Sequence, residues 1–201
     1  EFHQRLIRRS SVETGILERL YVVDRGTTEV LVTRGFAEEL VSHASTNVAP
    51  ALLIDILRDQ AAAIQSVMDC IANTRPLSKS FIHELHAILT AHQGTTEAVD
   101  TLGNRLEIRL DRGKFKSQAN NPRRSDGSVH EYCPPLHVEA EMDRLLEWTK
   151  SYASEDPLLL AAWFHHRFAQ IHPYQDGNGR VARALTTMIL LQADLLPLVV
   201  D

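Results

Sequence analysis

Two segments near the C-terminus are apolar almost all the way round. One runs from Pro157 to Ile171 and carries Leu158, Leu159, Leu160, Ala161, Ala162, Trp163, Phe164 and Phe168. The other starts near Gly179 and carries Val181, Ala182, Ala184, Leu185, Met188, Ile189 and Leu190. Helices of this kind are normally enclosed, and apolar runs such as Leu158 to Phe164 are too short to cross a bilayer. Both are therefore expected in a protein core. The polar loop between them, His172 to Asn178, is then gripped at each end by a buried helix.

The rest of the chain reads mostly as helix. Residues 3 to 22 place Leu6, Ile7, Ile16, Leu17 and Leu20 among charges, which predicts a surface helix bent or interrupted near Gly15. A short helix is expected over Thr27 to Gly35, after a turn at Asp24 to Gly26. A long one is expected from about Ala49 to Asn73, with Leu52, Leu53, Ile56, Leu57, Ala61, Ile64, Val67 and Met68 at helical spacing. Ser78 opens the next, Lys79 to Ala91, and further helices span about Val138 to Tyr152 and Pro157 to Ile171, with Pro157 in a favourable first turn. Gly103 to Pro135 differs. Its alternation at Leu106, Ile108 and Leu110, then Asn121-Pro122 and Asp126-Gly127, predicts extended chain and a hairpin turning near Asp126-Gly127.

Composition sets limits. At 201 residues, 44% hydrophobic and 23% charged, the chain suits one large globular domain or two small ones. A net charge of −5 argues against nucleic acid as a partner. A local basic run, Arg105, Arg109, Arg112, Lys114, Lys116, Arg123 and Arg124, is opposed only by Glu107 and Asp111. It is either a solvated surface or a loop that meets phosphates or an acidic target. Two cysteines, Cys70 and Cys133, form no disulfide framework and favour a reducing compartment such as the cytoplasm. No secretory signal or membrane span is visible. The chain starts at Glu1 and ends on the apolar run Leu195 to Val200, as a piece of a longer protein would.

The loop reads His172-Pro173-Tyr174-Gln175-Asp176-Gly177-Asn178-Gly179-Arg180-Val181-Ala182-Arg183. Gly177 and Gly179 bare the backbone at the start of a helix, where N–H groups lack intrahelical partners and the dipole adds positive charge. That combination suits phosphate. Arg180 and Arg183 are cations at the wrong end of a helix for stability, and an anionic ligand accounts for them. Asp176 can give Mg²⁺ one carboxylate, the usual Mg²⁺ pattern when phosphates complete the shell. His172 can act as general base. Together these are the parts for attack on a nucleotide phosphate. Asp-Gly-Asn-Gly alone could be only a turn. An EF-hand fails, since the sixth position from Asp176 is Val181 and the twelfth Thr187. A zinc site from His165, His166 and His172 lacks a further ligand at metal spacing, and no Walker-type loop is present.

This segment resembles the Fic signature, His-Pro-Phe-x-Asp-Gly-Asn-Gly-Arg-x-x-Arg, with Tyr174 in place of Phe; Ala161-Ala162-Trp163, Phe168 and Ala184-Leu185 on its flanks agree. The resemblance implies a mainly α fold, a Fic-type helical bundle with a small β-hairpin flap. Residues 1–75 would be an N-terminal helical region and 76–201 the Fic catalytic core. His172 would deprotonate a target hydroxyl. Asp176 would hold Mg²⁺, and Gly177, Asn178 and Gly179 would form the phosphate nest. Arg180 and Arg183 would hold the phosphates of ATP, Arg183 reaching the γ-phosphate. AMP would pass to a Ser, Thr or Tyr of a protein substrate. The same parts could transfer another phosphate-containing group or remove AMP, and a nucleotide-sensing module without catalysis is the non-enzymatic alternative. Oligomeric state is left open, a homodimer included.

Two further stretches resemble the family. Gly113-Lys114-Phe115-Lys116 and the residues to Pro135 sit where related chains carry the flap, which implies that Lys114, Phe115 and Lys116 meet the target. Thr14-Gly15-Ile16-Leu17-Glu18-Arg19 resembles the inhibitory motif Ser/Thr-x-x-x-Glu-Gly/Asn, with Arg19 in place of the small last residue. That implies a brake in which Glu18 pairs with Arg183, with Thr14 as the motif's first position.

Overall fold

The computed structural model describes residues 1–99 and 104–196, so the end of the apolar run, 197–200, and the Gly103 end of the expected extended segment lie outside the described residues. Seven α-helices and one two-stranded sheet appear among the described residues: α1 (Phe2–Leu17), α2 (Arg25–Arg34), α3 (Pro50–Ala72), α4 (Lys79–Leu89), β1 (Thr95–Val99), β2 (Arg105–Arg109), α5 (Pro135–Ser151), α6 (Pro157–Ile171) and α7 (Asn178–Gln192). The fold is mainly α, as expected.

Local chemistry accounts for most boundaries. Asp24 caps α2 by accepting from the Thr27 amide, Ser78 caps α4 through Phe81, and Asp156 caps α6 through Leu158 and Leu159. Pro50, Pro135 and Pro157 sit in first turns, where the missing N–H is not needed.

Two apolar cores form. The larger joins α4, α5, α6, α7 and the C-terminal half of α3, through Ala63, Val67, Cys70, Phe81, Leu85, Met142, Phe164, Phe168, Val181 and Leu185. The smaller joins α1, α2 and the N-terminal half of α3, through Val12, Tyr21, Leu31, Leu53, Ile54 and Leu57. The 23-residue helix α3 therefore belongs to both and carries α1 up against α7. Helix α7 is enclosed as predicted. Helix α6 is not enclosed throughout: Leu158 is 57% and Leu159 71% exposed in its first turn, while Phe164, Phe168 and Ile171 face the core.

Helix α1 is unbroken through Gly15, contrary to the expected bend. Gly15 is there for close approach: a Cβ would overlap the Tyr21 hydroxyl, which is buried and donates to the Val12 carbonyl at 3.0 Å. The chain then turns sharply. Leu20 N–H bonds to Gly15 O at 3.0 Å and Arg19 N–H to Ile16 O at 3.0 Å, the paired bonds of a Schellman ending, with Arg19 left-handed at φ 56°. That position favours glycine, which explains the small residue in the motif Arg19 departs from.

The extended segment divides in two. The regular ladder pairs β1 with β2, Thr95 opposite Arg109 and Glu97 opposite Glu107. Strand β1 was not anticipated. The turn at Asp126-Gly127 is real but supports only a minimal hairpin, one antiparallel bridge between Arg123 and Val129, with Arg124 N–H on Ser128 O at 2.8 Å.

Gly15→Ala should destabilise the protein by about 1–3 kcal/mol, the usual cost of forcing a methyl into a filled space. Urea unfolding followed by circular dichroism measures it. Unchanged stability would mean that Tyr21 does not pack on α1 as described.

Candidate active site

The loop begins where α6 ends. His172 is its cap and takes a left-handed conformation, φ 50° and ψ 60°, which turns the chain out of the helix. Asn178 closes the loop: its Nδ2 donates to Tyr174 O at 2.7 Å, while the Tyr174 N–H donates to its Oδ1 at 2.8 Å. The side chain expected in the phosphate nest is thus engaged in holding the loop. Tyr174 is fully buried. Its ring stacks on His86 at 3.8 Å, and its hydroxyl lies 3.0 Å from His83 Nδ1, the partner that Tyr in place of Phe requires.

His86, from α4, is a support that sequence reading did not single out. The Gly113 N–H donates to its Nδ1 at 2.8 Å, so the ring proton sits on Nε2 and is donated to Asp176 O at 3.0 Å. Burial pushes its pKa down to about 4, which keeps this neutral tautomer at ordinary pH. Asp176 is oriented by three more donors. Its Oδ2 accepts from Gln93 Nε2 at 2.5 Å and Thr96 Oγ1 at 3.1 Å, and its Oδ1 from the Gly177 N–H at 2.5 Å.

Gly177 then opens α7 at φ 77°, and no side chain caps the helix. The basic end is aimed by buried contacts. Arg180 is 2% exposed and donates to Leu89 O at 2.7 Å and Gln93 Oε1 at 2.5 Å. Arg183 Nη2 donates to Glu18 Oε1 at 2.6 Å, with both side chains about three-quarters buried. The Glu18 carboxylate also presses on the Cα of Gly179, where any Cβ would collide with it. A carboxylate from α1 therefore lies against the uncapped N-terminus of α7. Thr14 serves this arrangement through its main chain, accepting from the Glu18 N–H at 3.1 Å.

The segment after β2 walls the loop from the other side. Lys116 N–H donates to Pro173 O at 2.8 Å, Lys116 Nζ to Asn120 Oδ1 at 2.9 Å, and Asn120 Nδ2 to Tyr174 O at 2.9 Å. Phe115 packs on His83 and Tyr174. Lys116 is 5% exposed, so of the three residues expected to meet a target only Lys114 is exposed. Phe115 braces the loop through its ring and Lys116 through its main chain and its bond to Asn120. Tyr132 returns to stack face to face on His172, centroids 3.8 Å apart and rings 8° from parallel. Burial first, then the Lys116 charge, lowers the His172 pKa to about 4, so the imidazole is neutral at ordinary pH.

The residues suit a nucleotide phosphate and Mg²⁺. Uncapped amides and two guanidinium groups converge on one helix end, already holding a carboxylate. No cluster of three or more His, Cys, Asp or Glu occurs among the described residues. One carboxylate, Asp176, is what a Mg²⁺ ion shared with phosphates needs. His165 Nδ1 lies 3.0 Å from Thr186 Oγ1.

The model of the Fic/DOC family matches residues 76–190, and the chain belongs to that family. The segment similar to a protein adenylyltransferase Fic of Nematostella vectensis is 33% identical over 87 residues, 41% of this chain and 20% of that protein. A match to protein adenylyltransferase fic-1 of Caenorhabditis elegans is 31% identical over 67 residues, 32% of this chain and 13% of that protein. The matched segments thus span a fifth or less of these relatives. Among solved structures, a Fic-domain-containing signalling protein from Bacteroides thetaiotaomicron superposes with TM-score 0.76 at 23% identity, over 99% of this chain and 67% of that one. A Fic-1 fragment from C. elegans does so with TM-score 0.65 at 17% identity, over 100% and 51%.

Replacing Lys116 with Met should raise the pKa of His172, because a cation that opposes imidazole protonation is removed. Titrating the His172 ring by NMR checks this. In the parent protein it should stay neutral down to about pH 4, and an ordinary histidine titration there would contradict the burial described.

Proposed function

We propose that this protein is an adenylyltransferase that moves AMP from ATP to a hydroxyl side chain of another protein, and that Glu18 restrains it. The observation that carries the reading is the Glu18–Arg183 pair at 2.6 Å against Gly179. A helix start that attracts a carboxylate from its own chain is a site built for anions.

In this reading the acceptor oxygen attacks the α-phosphorus while His172 takes its proton. The bond to the β-phosphate breaks, and pyrophosphate leaves with the electron pair. The neutral imidazole supports that role, and the stack on Tyr132 leaves its ring few orientations. Amides of α7 and the guanidinium groups of Arg180 and Arg183 hold the phosphates and offset the charge that builds on them. Asp176 would hold Mg²⁺, which supplies further neutralisation of phosphate charge when bound. Glu18 opposes this by engaging Arg183 and by placing negative charge beside the phosphate position. Partial burial makes such a pair costlier to break than an exposed one worth ~0–1 kcal/mol, because removing one partner leaves the other charge desolvated.

Glu18→Gly should raise AMP transfer, self-modification included, and His172→Ala in that background should lower it by about 10²–10⁴-fold. ATP labelled at the α-phosphate gives the readout. Label arriving only from the γ-phosphate would instead make the protein a kinase, and no transfer from either would end the proposal. Arg19→Gly should relax the left-handed position after Glu18, recovering part of a strain of about 1–2 kcal/mol. It should raise the melting temperature and deepen inhibition, both measured against the parent protein.

A further inference from the structure

Helix α6 is apolar on more sides than its neighbours cover. It packs mainly on α7 and α5. A further stripe, Leu159, Ala162, Trp163, His166, Arg167 and Gln170, recurs at helical spacing and is wholly or partly open to solvent. Its first half is apolar, where a helix of this composition is normally enclosed. Helix α5 widens the face. Trp148, 52% exposed, stacks on Trp163 with centroids 5.7 Å apart and rings 15° from parallel, and Tyr152 packs beside Trp148. Two hollows meet at this tryptophan pair. One is completed by Tyr152, Glu155, Leu159 and Leu160, the other by Glu141, Arg144, Leu145, Arg167 and Gln170. Neither includes Glu18 or any residue from His172 to Arg183, so this face is separate from the anion site.

The two ends of the face differ in charge. At one, Glu141 accepts from Arg144 Nη1 at 2.6 Å and from Arg167 Nη2 at 2.6 Å. One carboxylate serves two guanidinium groups, so that end is positive, and the Arg144 side chain remains 70% exposed. At the other stands Glu155, exposed in the turn between α5 and α6. The sequence along the face is therefore positive, aromatic and apolar, then negative. Turned by half a rotation about its centre, such a surface matches itself. The arginine end meets the Glu155 end, and the tryptophans meet tryptophans. That self-matching is what a two-fold interface requires. Aromatic residues and arginine are the side chains that interfaces favour, and monomers seldom leave a contiguous apolar patch rimmed by polar groups without a use for it.

We infer that this face joins two copies of the chain about a two-fold axis near the Trp148–Trp163 stack, with α6 antiparallel to its counterpart. Glu155 of each copy then meets Arg144 of the partner subunit, and Leu159 is covered. The His172 loop stays open to substrate in the pair, because none of its residues belongs to the face. The inference concerns association and holds whether or not the protein transfers AMP.

Sedimentation equilibrium of the whole chain tests it. The mass should approach twice that of one chain at high protein concentration and fall towards one chain on dilution. Leu159→Glu should weaken association by about tenfold or more, since a charge would be buried without a partner. Leu159 is 71% exposed in the single chain, so the variant should keep the parent's circular dichroism spectrum. Arg144→Glu and Glu155→Arg should each weaken association by setting like charges against each other, and the two together should restore it. That rescue depends on contact between copies, and loss of fold would not produce it. A single-chain mass at every concentration, with the face left to some other occupant, would overturn the inference. So would a dimer unaltered by Leu159→Glu, or charge reversals that fail to rescue one another. AMP transfer by a chain that never pairs would overturn this inference and leave the proposed activity standing; pairing without transfer would do the reverse.

Discussion

The reciprocal bonds between the Asn178 carboxamide and the main chain of Tyr174 are what the rest of the site depends on. A six-residue polar loop between two core helices has many conformations of similar energy. The clamp selects one by joining the first turn of α7 to the middle of the loop. Tyr174 is then pressed into the core between His83 and His86, and a buried aromatic with a bonded hydroxyl has little freedom. With both ends fixed, Asp176 and Gly177 have nowhere to move, and the amides at the start of α7 keep their direction. Preorganisation of this kind lets fixed dipoles act on a developing charge without rearrangement.

Charge at the start of α7 runs against the stability of the isolated fold. Two arginines stand where the helix dipole disfavours cations, and no side chain caps the helix. The protein offsets this from within, by the Leu89 carbonyl and Gln93 for Arg180 and by Glu18 for Arg183. The Arg180 contacts are buried. The Glu18 contact comes from the end of a different helix, which rests on α3 and ends in a left-handed arginine. The Glu18–Arg183 contact therefore depends on how firmly α1 is seated on α3.

His172 lies under the Tyr132 face, and burial, followed by the Lys116 charge, outweighs a main-chain hydrogen bond to Ala169 and the Asp176 charge, so the neutral imidazole is favoured. The segment from Gly113 to Pro135 provides Tyr132 and Lys116, which makes it a structural wall of the site before any role toward a target.

Much of this was legible in the residue order. Helix positions follow from 3.6-residue periodicity and from caps such as Ser78 and Asp156, because those are local effects of a few neighbouring residues. The loop from His172 to Arg183 could be read as an anion site for the same reason: glycines, a helix start and adjacent cations act over one or two turns. What only the tertiary structure decided involves residues far apart in sequence. His86, Gln93, Asn120 and Tyr132 carry no local mark, and become site residues because α4 and the 113–135 segment fold against the loop. Gly15 reads as a helix weakness until Tyr21 is seen to need the space. Strand β1 exists because β2 is there to pair with it. Local patterning determines which elements form, whereas packing determines which side chains meet, since that depends on distances no linear spacing encodes.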